Sequence, residues 1–170
     1  MDLANEYRAS LGAGKLEWNS AAANSAGMQA KYLDTVNKCA QCAKDLKDKR
    51  FLNTFGSHEN PGAKMKTFYD RYMLALGKDS SSHKHSKVGE IIDYSTLYHV
   101  EKSQKADSTE AALAKMIIEN WKNSKEHNKI LTDPEMKYAG VRIFRKSCYD
   151  SFITSENIAT SSVMVLTAKK

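Results

Sequence analysis

The order of hydrophobic patterns constrains the fold of this chain most, because helical periodicity comes first and β-rich segments come last. The most regular helical segment carries apolar side chains at the i, i+3, i+4, i+7 spacing of one helix face. These residues are Met65, Phe68, Tyr69, Tyr72, Met73 and Leu76, and Gly77 follows them as a helix-ending residue. Near the end of the chain, Ala139 to Phe144 and Ser162 to Leu166 are rich in β-forming residues and are expected to pair as antiparallel strands. Helices followed by strands predict an α+β fold with helices packed on a small antiparallel sheet.

Capping residues and apolar spacing predict the other elements of the chain. They are a helix over 3–11 capped by Asp2, a second helix capped by Asn19 and running into the late thirties, a short strand at 89–92, a helix launched by the Asp107–Glu110 capping box, one further turn capped by Ser124, and a turn at Asp133-Pro134-Glu135. In the second helix, alanines recur at helical spacing and allow close approach to a neighbouring layer. Trp121 falls on the apolar face of its helix and is expected in the core.

Length and composition indicate one globular domain over residues 1–170. The chain has 170 residues, of which 41% are hydrophobic and 27% are charged. This length is close to the roughly 150 residues of a typical domain, and the composition is neither collagenous nor disordered. A chain of this size buries enough surface to fold without a metal ion or disulfides.

The charge distribution argues against nucleic-acid binding and against a membrane span. The 26 basic and 20 acidic residues give a net charge of +6, but the basic residues are mostly lysines spread over the whole chain. Nucleic-acid binders concentrate basic residues and favour arginine. Apolar runs are only about four residues long, as in Val163–Leu166, far short of the roughly 18 residues that cross a bilayer. The first residues lack the features of a signal peptide, which is expected either of a cytosolic protein or of one whose leader was trimmed.

Three cysteines are an odd number and too few for a disulfide scaffold. Cys39 and Cys42 have the spacing of redox motifs, but those motifs follow a strand at a helix N-terminus, and here a helical segment precedes them. The same pair is half of a zinc site, which would need Cys148 and a histidine to complete it. Surface thiols or one incidental disulfide are the favoured interpretation, with redox or zinc chemistry as the alternative.

No nucleophile elbow, P-loop, dinucleotide fingerprint, zinc-protease motif or EF-hand loop occurs in the chain. A set of segments in fixed order carries the strongest signal instead. It comprises Asn5-Glu6-Tyr7-Arg8, Leu16-Glu17-Trp18-Asn19, Phe55-Gly56-Ser57-His58-Glu59-Asn60-Pro61-Gly62, Gly89-Glu90-Ile91-Ile92, Trp121-Lys122-Asn123-Ser124-Lys125-Glu126-His127-Asn128-Lys129-Ile130-Leu131 and Ala139-Gly140-Val141. The order resembles the CAP superfamily, also called SCP-like or cysteine-rich secretory, antigen 5 and pathogenesis-related 1 proteins, in its bacterial form.

The resemblance implies an α-β-α sandwich, the CAP fold, with a cleft cluster of His58, Glu90 and His127. In some family members such a cluster binds a divalent cation, so the resemblance makes His58 and His127 candidate metal ligands for zinc or a similar ion, with no cofactor required for folding. Neutral imidazoles and a carboxylate suit such an ion. His83 and His85 form a rival histidine pair in a segment that is otherwise expected to be a solvated loop.

The resemblance also implies export, so the leader would be absent from this sequence and a lipid anchor on the precursor is compatible with it. The expected function is a non-enzymatic extracellular or cell-surface binding module of a bacterium, with a lipid, a sterol or a host protein as partner. The alternative is a metal-dependent, peptidase-like hydrolase that uses the histidines and Glu90. A serine mechanism at Ser57 or Ser124 is weaker, and adhesion to anionic glycans or membranes through the dispersed lysines is a third interpretation.

Overall fold

A computed structural model describes residues 1–36, 57–60, 65–78, 87–97, 110–150 and 155–169. In this part of the chain, helices cover both faces of a four-stranded sheet. The elements are α1 (Asp2–Ser10), β1 (Glu17–Trp18), α2 (Ser20–Val36), α3 (Phe68–Ala75), β2 (Val88–Leu97), α4 (Glu110–Asn123), α5 (Lys125–Leu131), β3 (Tyr138–Asp150) and β4 (Ser155–Thr167). The α+β class and the α-β-α layering are therefore as predicted.

The strand order in the sheet is β1-β3-β4-β2. β3 and β4 form a long antiparallel hairpin, in which Ala139 lies opposite Leu166 and Ile143 lies opposite Ser162. This pairing confirms the two β-rich segments, which the structure extends well beyond the predicted bounds. β2 pairs antiparallel with β4, whereas the two-residue β1 pairs in parallel with β3 at the opposite edge. β1 was not predicted, because two exposed residues carry no strand periodicity.

Two hydrophobic clusters, one on each face of the sheet, form the core. The first packs α1, α4 and α5 against the sheet through Ala4, Leu16, Ile91, Ile117, Trp121, Leu131, Met136, Ala139, Met164 and Leu166. The second packs α2 and α3 through Ala22, Ala26, Ala30, Leu33, Tyr72, Met73, Ile92, Val163 and Val165. Neighbouring strand residues such as Met164 and Val165 belong to opposite clusters, as the two-residue period of a strand requires. Trp121 is 1% exposed, which confirms its predicted place in the core.

α2 lies unusually close to β3, because both surfaces carry small residues. A Cβ atom added at Gly140 would collide with the backbone of Ala22 and Ala23. The alanines that recur in α2 are completely buried at this interface, as their spacing predicted. Gly140 therefore permits backbone contact between helix and sheet.

Most of the predicted helix ends are observed, with two differences. The Asn19 side chain accepts from Ala22 N at 2.8 Å, the Ser124 side chain accepts from His127 N, and Gly77 ends α3 with a φ of 66°. The prediction that Asp2 caps α1 was wrong, because the cap residue is Met1 and makes no side-chain cap bond. α3 begins at a capping box between Thr67 and Asp70, so Met65 lies outside the helix.

Arg8 joins α1 to the turn that follows α5. Its guanidinium is fully buried and donates to the carbonyl oxygens of Leu131 at 2.6 Å, Asp133 at 3.1 Å and Met136 at 3.0 Å. These carbonyls belong to the end of α5 and the turn through Pro134, so Arg8 satisfies groups that a helix end leaves unpaired. The Asn5–Arg8 segment thus acts in folding.

Several predictions concern residues outside the described part of the chain. These are the Asp107 cap, Cys39, Cys42, His83 and His85, together with the side chain of Cys148. Among the described helices, none is long and apolar enough to cross a bilayer.

Candidate functional site

Glu90 and Arg71 form a buried ion pair at the β2 edge of the sheet. Glu90 lies on β2, which is an edge strand, and its side chain is completely buried. The Arg71 Nη2 atom donates to both carboxylate oxygens, at 2.8 Å to Oε1 and 2.7 Å to Oε2. Because an unpaired carboxylate is very unfavourable in a protein interior, Arg71 is what allows Glu90 to lie there ionised.

Arg71 also hydrogen-bonds to the two chain segments next to the cluster. From the centre of α3 it donates to the carbonyl oxygens of His58 at 3.1 Å and Met65 at 3.2 Å. The role of Arg71 was not predicted from the sequence, since an arginine in a helix is usually exposed. The only available signal was its position one residue before the apolar pair Tyr72 and Met73, next to the buried stripe.

His58 is oriented by Glu90 and faces partly outward. Its Nδ1 atom lies 3.0 Å from Glu90 Oε1, and 41% of its side chain is exposed. Because an ionised carboxylate can only accept a hydrogen bond, we assign the Nδ1 proton to His58 as the donor. With this proton on Nδ1, the Nε2 atom of the ring points away from Glu90.

His127 approaches His58 from the helical layer on the other side of β2. It is the third residue of α5, directly behind the Ser124 cap, and the two imidazole centroids are 6.5 Å apart with the rings at 73°. Burial lowers the pKa of His127 below 6.5, and the positive charge of a protonated His58 lowers it further, while Glu126 partly opposes both. His127 is therefore a neutral, half-buried imidazole at neutral pH. The structure brings together all three residues of the predicted cluster.

The described residues do not assemble a three-ligand metal site at this cluster. No group of three or more His, Cys, Asp or Glu side chains in the described ranges could hold a metal ion. Both Glu90 oxygens are already bonded to Arg71, which places a positive charge beside any cation bound there. A carboxylate behind a histidine does orient metal ligands in many proteins. Two imidazoles alone, however, fall short of the three protein ligands of catalytic zinc sites.

Neither neighbouring serine is arranged as a nucleophile. Ser57 Oγ exchanges hydrogen bonds with the backbone of Glu59, and Ser124 Oγ caps α5. An activated serine needs a base within hydrogen-bond reach of its hydroxyl. The bonds of these two hydroxyls are local turn and cap interactions, so the serine interpretation gains no support from the structure.

A separate apolar cavity of about 210 Å³ opens between α1, α4 and the sheet. Its wall shares no residue with the cluster and consists of Met1, Asp2, Leu3, Ala4, Ala114, Ile117, Ile118, Trp121, Val141, Ile143 and Met164. Within the described part of the chain, the buried Trp121 Nε1 atom of this wall has no hydrogen-bond partner. Sequence analysis did not find this cavity, because its residues carry the same helical and strand periodicity as ordinary core.

Comparison with known proteins agrees with the architecture. The profile of the cysteine-rich secretory protein family, CAP, matches residues 1–157. An extracellular protein containing an SCP domain from Bacillus anthracis superposes with a TM-score of 0.59 at 18% identity, over 99% of this chain and 38% of that one. An outer surface protein from Borrelia burgdorferi aligns at 14% identity with a TM-score of 0.48, over 99% of this chain and 89% of that one.

This chain thus spans less than half of the Bacillus protein's length, and that structure supports the fold alone. No curated protein sequence matches significantly. The profile match covers all the motifs from Asn5 to Val141. The chain therefore belongs to the CAP, or cysteine-rich secretory protein, family.

Proposed function

We propose that this chain is a non-enzymatic binding module that acts outside a bacterial cell or at its surface and recognises its ligand through the cleft of His58, Glu90 and His127. The observation that carries the proposal is the engagement of Glu90, whose two oxygens bond to Arg71 while one also meets His58 Nδ1. A general base must be able to accept a proton from a reacting group. Glu90 is instead committed to an ion pair inside the protein.

The solvent-exposed part of the cluster is suited to contact with a ligand. His58 is 41% exposed on a framework fixed by Arg71, and His127 is half-buried beside it. Fixed side chains lose little conformational freedom when a ligand binds, which favours affinity. The imidazole of His127, whose pKa is lowered, is neutral at neutral pH and supplies both a donor and an acceptor.

The location outside the cell is proposed from family membership and from the Bacillus structure, which is described as an extracellular protein. A leader or lipid anchor on the precursor would accompany this location. The partner would then be a lipid, a sterol or a host protein, as the family resemblance implies.

The apolar cavity, which shares no residue with the cleft, is a second candidate site, and its lining favours a lipid as the ligand there. A pocket lined by Ile117, Ile118 and Val141 matches hydrocarbon, and apolar cavities of this kind stay dry and take apolar ligands. The unsatisfied Trp121 Nε1 could donate to a polar atom at the end of such a ligand. Displacement of a fluorescent long-chain fatty acid tests this, with Ala114→Trp as the variant that fills the cavity.

The metal-dependent hydrolase is the second candidate, and the one observation in its favour is that Glu90 orients the outward nitrogen of His58. Such an enzyme should lose all turnover of peptide or ester substrates in the His58→Ala, His127→Ala double variant and in the presence of a chelator. A binding module should show no turnover above buffer in either protein.

Ligand capture provides the direct test of the cleft. Wild type and the His58→Ala, His127→Ala variant are titrated with vesicles of bacterial and host lipids, with sterols and with candidate host proteins. Binding that disappears in the variant while Ala114→Trp retains it supports the cleft as the recognition site. Binding that survives in the double variant contradicts the proposal. If binding survives in the double variant but is lost in Ala114→Trp, the recognition site is the cavity.

A further inference from the structure

Among the described residues, the outer edge of β3 is paired with another strand only along its first two residues. β1 pairs only with Tyr138 and Ala139, whereas β3 continues to Asp150. Within the described ranges, no other strand pairs with β3 on this side, because β4 lies on the opposite side. An edge strand of this length presents backbone groups to which another extended chain can bond.

The backbone direction identifies which groups face outward. Ala139 O accepts from Asn19 N at 2.9 Å, so the peptide groups of Ala139 point toward β1 and away from β4. Because this direction alternates along a strand, the N–H and C=O groups of Val141, Ile143 and Arg145 also point outward. The constant register with β4 shows no bulge that would break the alternation. Among described residues, the one contact recorded at these groups is Arg142 Nη1 with Val141 O at 3.3 Å.

Two exposed arginines give this edge a positive charge beside its apolar side chains. Ile143 is 46% exposed, and Arg142 and Arg145 are both exposed. Arg142 lies on the α2 face, where its guanidinium stands 5.6 Å from the centre of the Trp18 ring. Arg145 lies on the other face with Ile143. The Val141–Arg145 edge contains no acidic residue.

We propose that this edge binds an acidic polypeptide segment in extended conformation, which continues the sheet from the end of β1. The positive charge of the edge favours an acidic partner over a second copy of this chain. A second copy of the chain paired through the same edge would bring the arginines of both copies together, which is unfavourable. An acidic strand would instead place a carboxylate near a guanidinium on each face and would bond to the outward peptide groups of Ile143 and Arg145.

The probe is a synthetic peptide of alternating glutamate and threonine. A peptide of alternating lysine and threonine is the control. The acidic peptide should bind the full chain and should shift and protect the backbone amides of Ile143 and Arg145 in NMR spectra. Ile143→Pro removes an outward N–H without removing a bond to β4, so it should weaken binding at least about tenfold relative to Ile143→Ala. Native spectra at Val163 and Val165 establish that the proline variant is folded.

Charge reversal supplies an independent arm that does not depend on proline. The Arg142→Glu, Arg145→Glu variant should lose binding, and the Arg142→Lys, Arg145→Lys variant should retain most of it. The Lys125→Glu, Lys129→Glu variant carries the same change in net charge on α5, beside the opposite edge, and should bind like wild type. Equal binding of the two peptides, equal affinity of the proline and alanine variants, or equal loss in the lysine control variant would each overturn the proposal.

Discussion

At the scale of single residues, the Arg71–Glu90 pair determines the character of the cluster. Both side chains are fully removed from solvent, so each charge depends on the other. The pair also fixes His58, through Glu90 Oε1 on its ring and Arg71 Nη2 on its carbonyl oxygen. One arginine therefore controls both the charge of the cluster and the position of its most exposed side chain.

Arg71→Met should destabilise the protein by about 3–5 kcal/mol, because Glu90 is left as a buried charge without a partner. Urea unfolding measures the change in the free energy of unfolding. The Arg71→Met, Glu90→Leu double variant removes both charges and should recover much of the loss. A single variant as stable as wild type, or a double variant no better than the single one, would be inconsistent with a buried ion pair.

His127 should make the protein less stable in acid. Its pKa is lowered from 6.5 in the folded state by burial first and by His58 second. The unfolded chain therefore binds more protons between the folded pKa and 6.5, and this group lowers the free energy of unfolding as pH falls through that window. Above 6.5 it contributes no pH dependence.

Urea unfolding at about pH 7.5 and about pH 5.5 measures this effect. The loss of stability on acidification should be smaller in His127→Gln than in wild type. The exposed Glu126→Gln variant is a matched control, since Glu126 raises the pKa of His127 and its removal should enlarge the acid loss. An identical pH dependence in wild type and His127→Gln would refute the assignment.

The residues of the cluster were predictable from motif order and Arg71 was not. His58, Glu90 and His127 lie in short segments with recognisable neighbours, and the structure places them together. The role of Arg71 depends on the contact between the centre of α3 and β2. Helical periodicity in the sequence does not predict this contact. Burial of a charged residue is visible only once its partner is placed.

At the scale of elements, α2 and β3 make a very close contact. Gly140 has backbone of α2 where a Cβ atom would lie, and Gly27 faces the Arg142 side chain from the helix. Backbone cannot move aside as a side chain can. The lack of a side chain at Gly140 therefore allows the short distance between α2 and the β3–β4 hairpin.

Gly140→Ala should destabilise the fold by more than the roughly 1–3 kcal/mol typical of overpacked cores, because backbone rather than a side chain must shift. Gly14→Ala is the matched control, since nothing lies within 4 Å of a Cβ at Gly14 and its φ is unexceptional. The control should be neutral or more stable by about 0.4–1 kcal/mol. Thermal unfolding compares the two, and similar melting temperatures for both variants would contradict the close contact.

Element types were predictable where capping and periodicity agree, as at Asn19, Ser124 and Gly77. The lengths of the elements were less predictable than their types. β3 and β4 each extend over 13 residues because they pair with each other throughout, and polar stretches are included where the pairing continues. The Asp2 cap was wrong because α1 begins one residue earlier than its sequence pattern suggested.

At the scale of the whole molecule, the described part of the chain combines a core of two hydrophobic clusters with three candidate binding surfaces. These are the cluster at the β2 edge, the apolar cavity beside α1 and α4, and the β3 edge. The α+β class was predictable from the order of helices and strands, and the α-β-α layering was implied by the resemblance to the CAP family. The cavity and the open edge were not, since each depends on how elements meet rather than on the pattern within any one of them.

The central proposal is that the cluster serves ligand binding rather than metal-assisted hydrolysis, because Glu90 is engaged by Arg71. Calorimetric zinc titration of the wild-type chain, with the His58→Ala, His127→Ala variant as reference, tests it most directly. The account predicts no stoichiometric binding in the micromolar range and no difference between the two proteins. Stoichiometric micromolar binding that the double variant abolishes would contradict it, because Glu90 or another group would then have to complete a metal site with the two histidines.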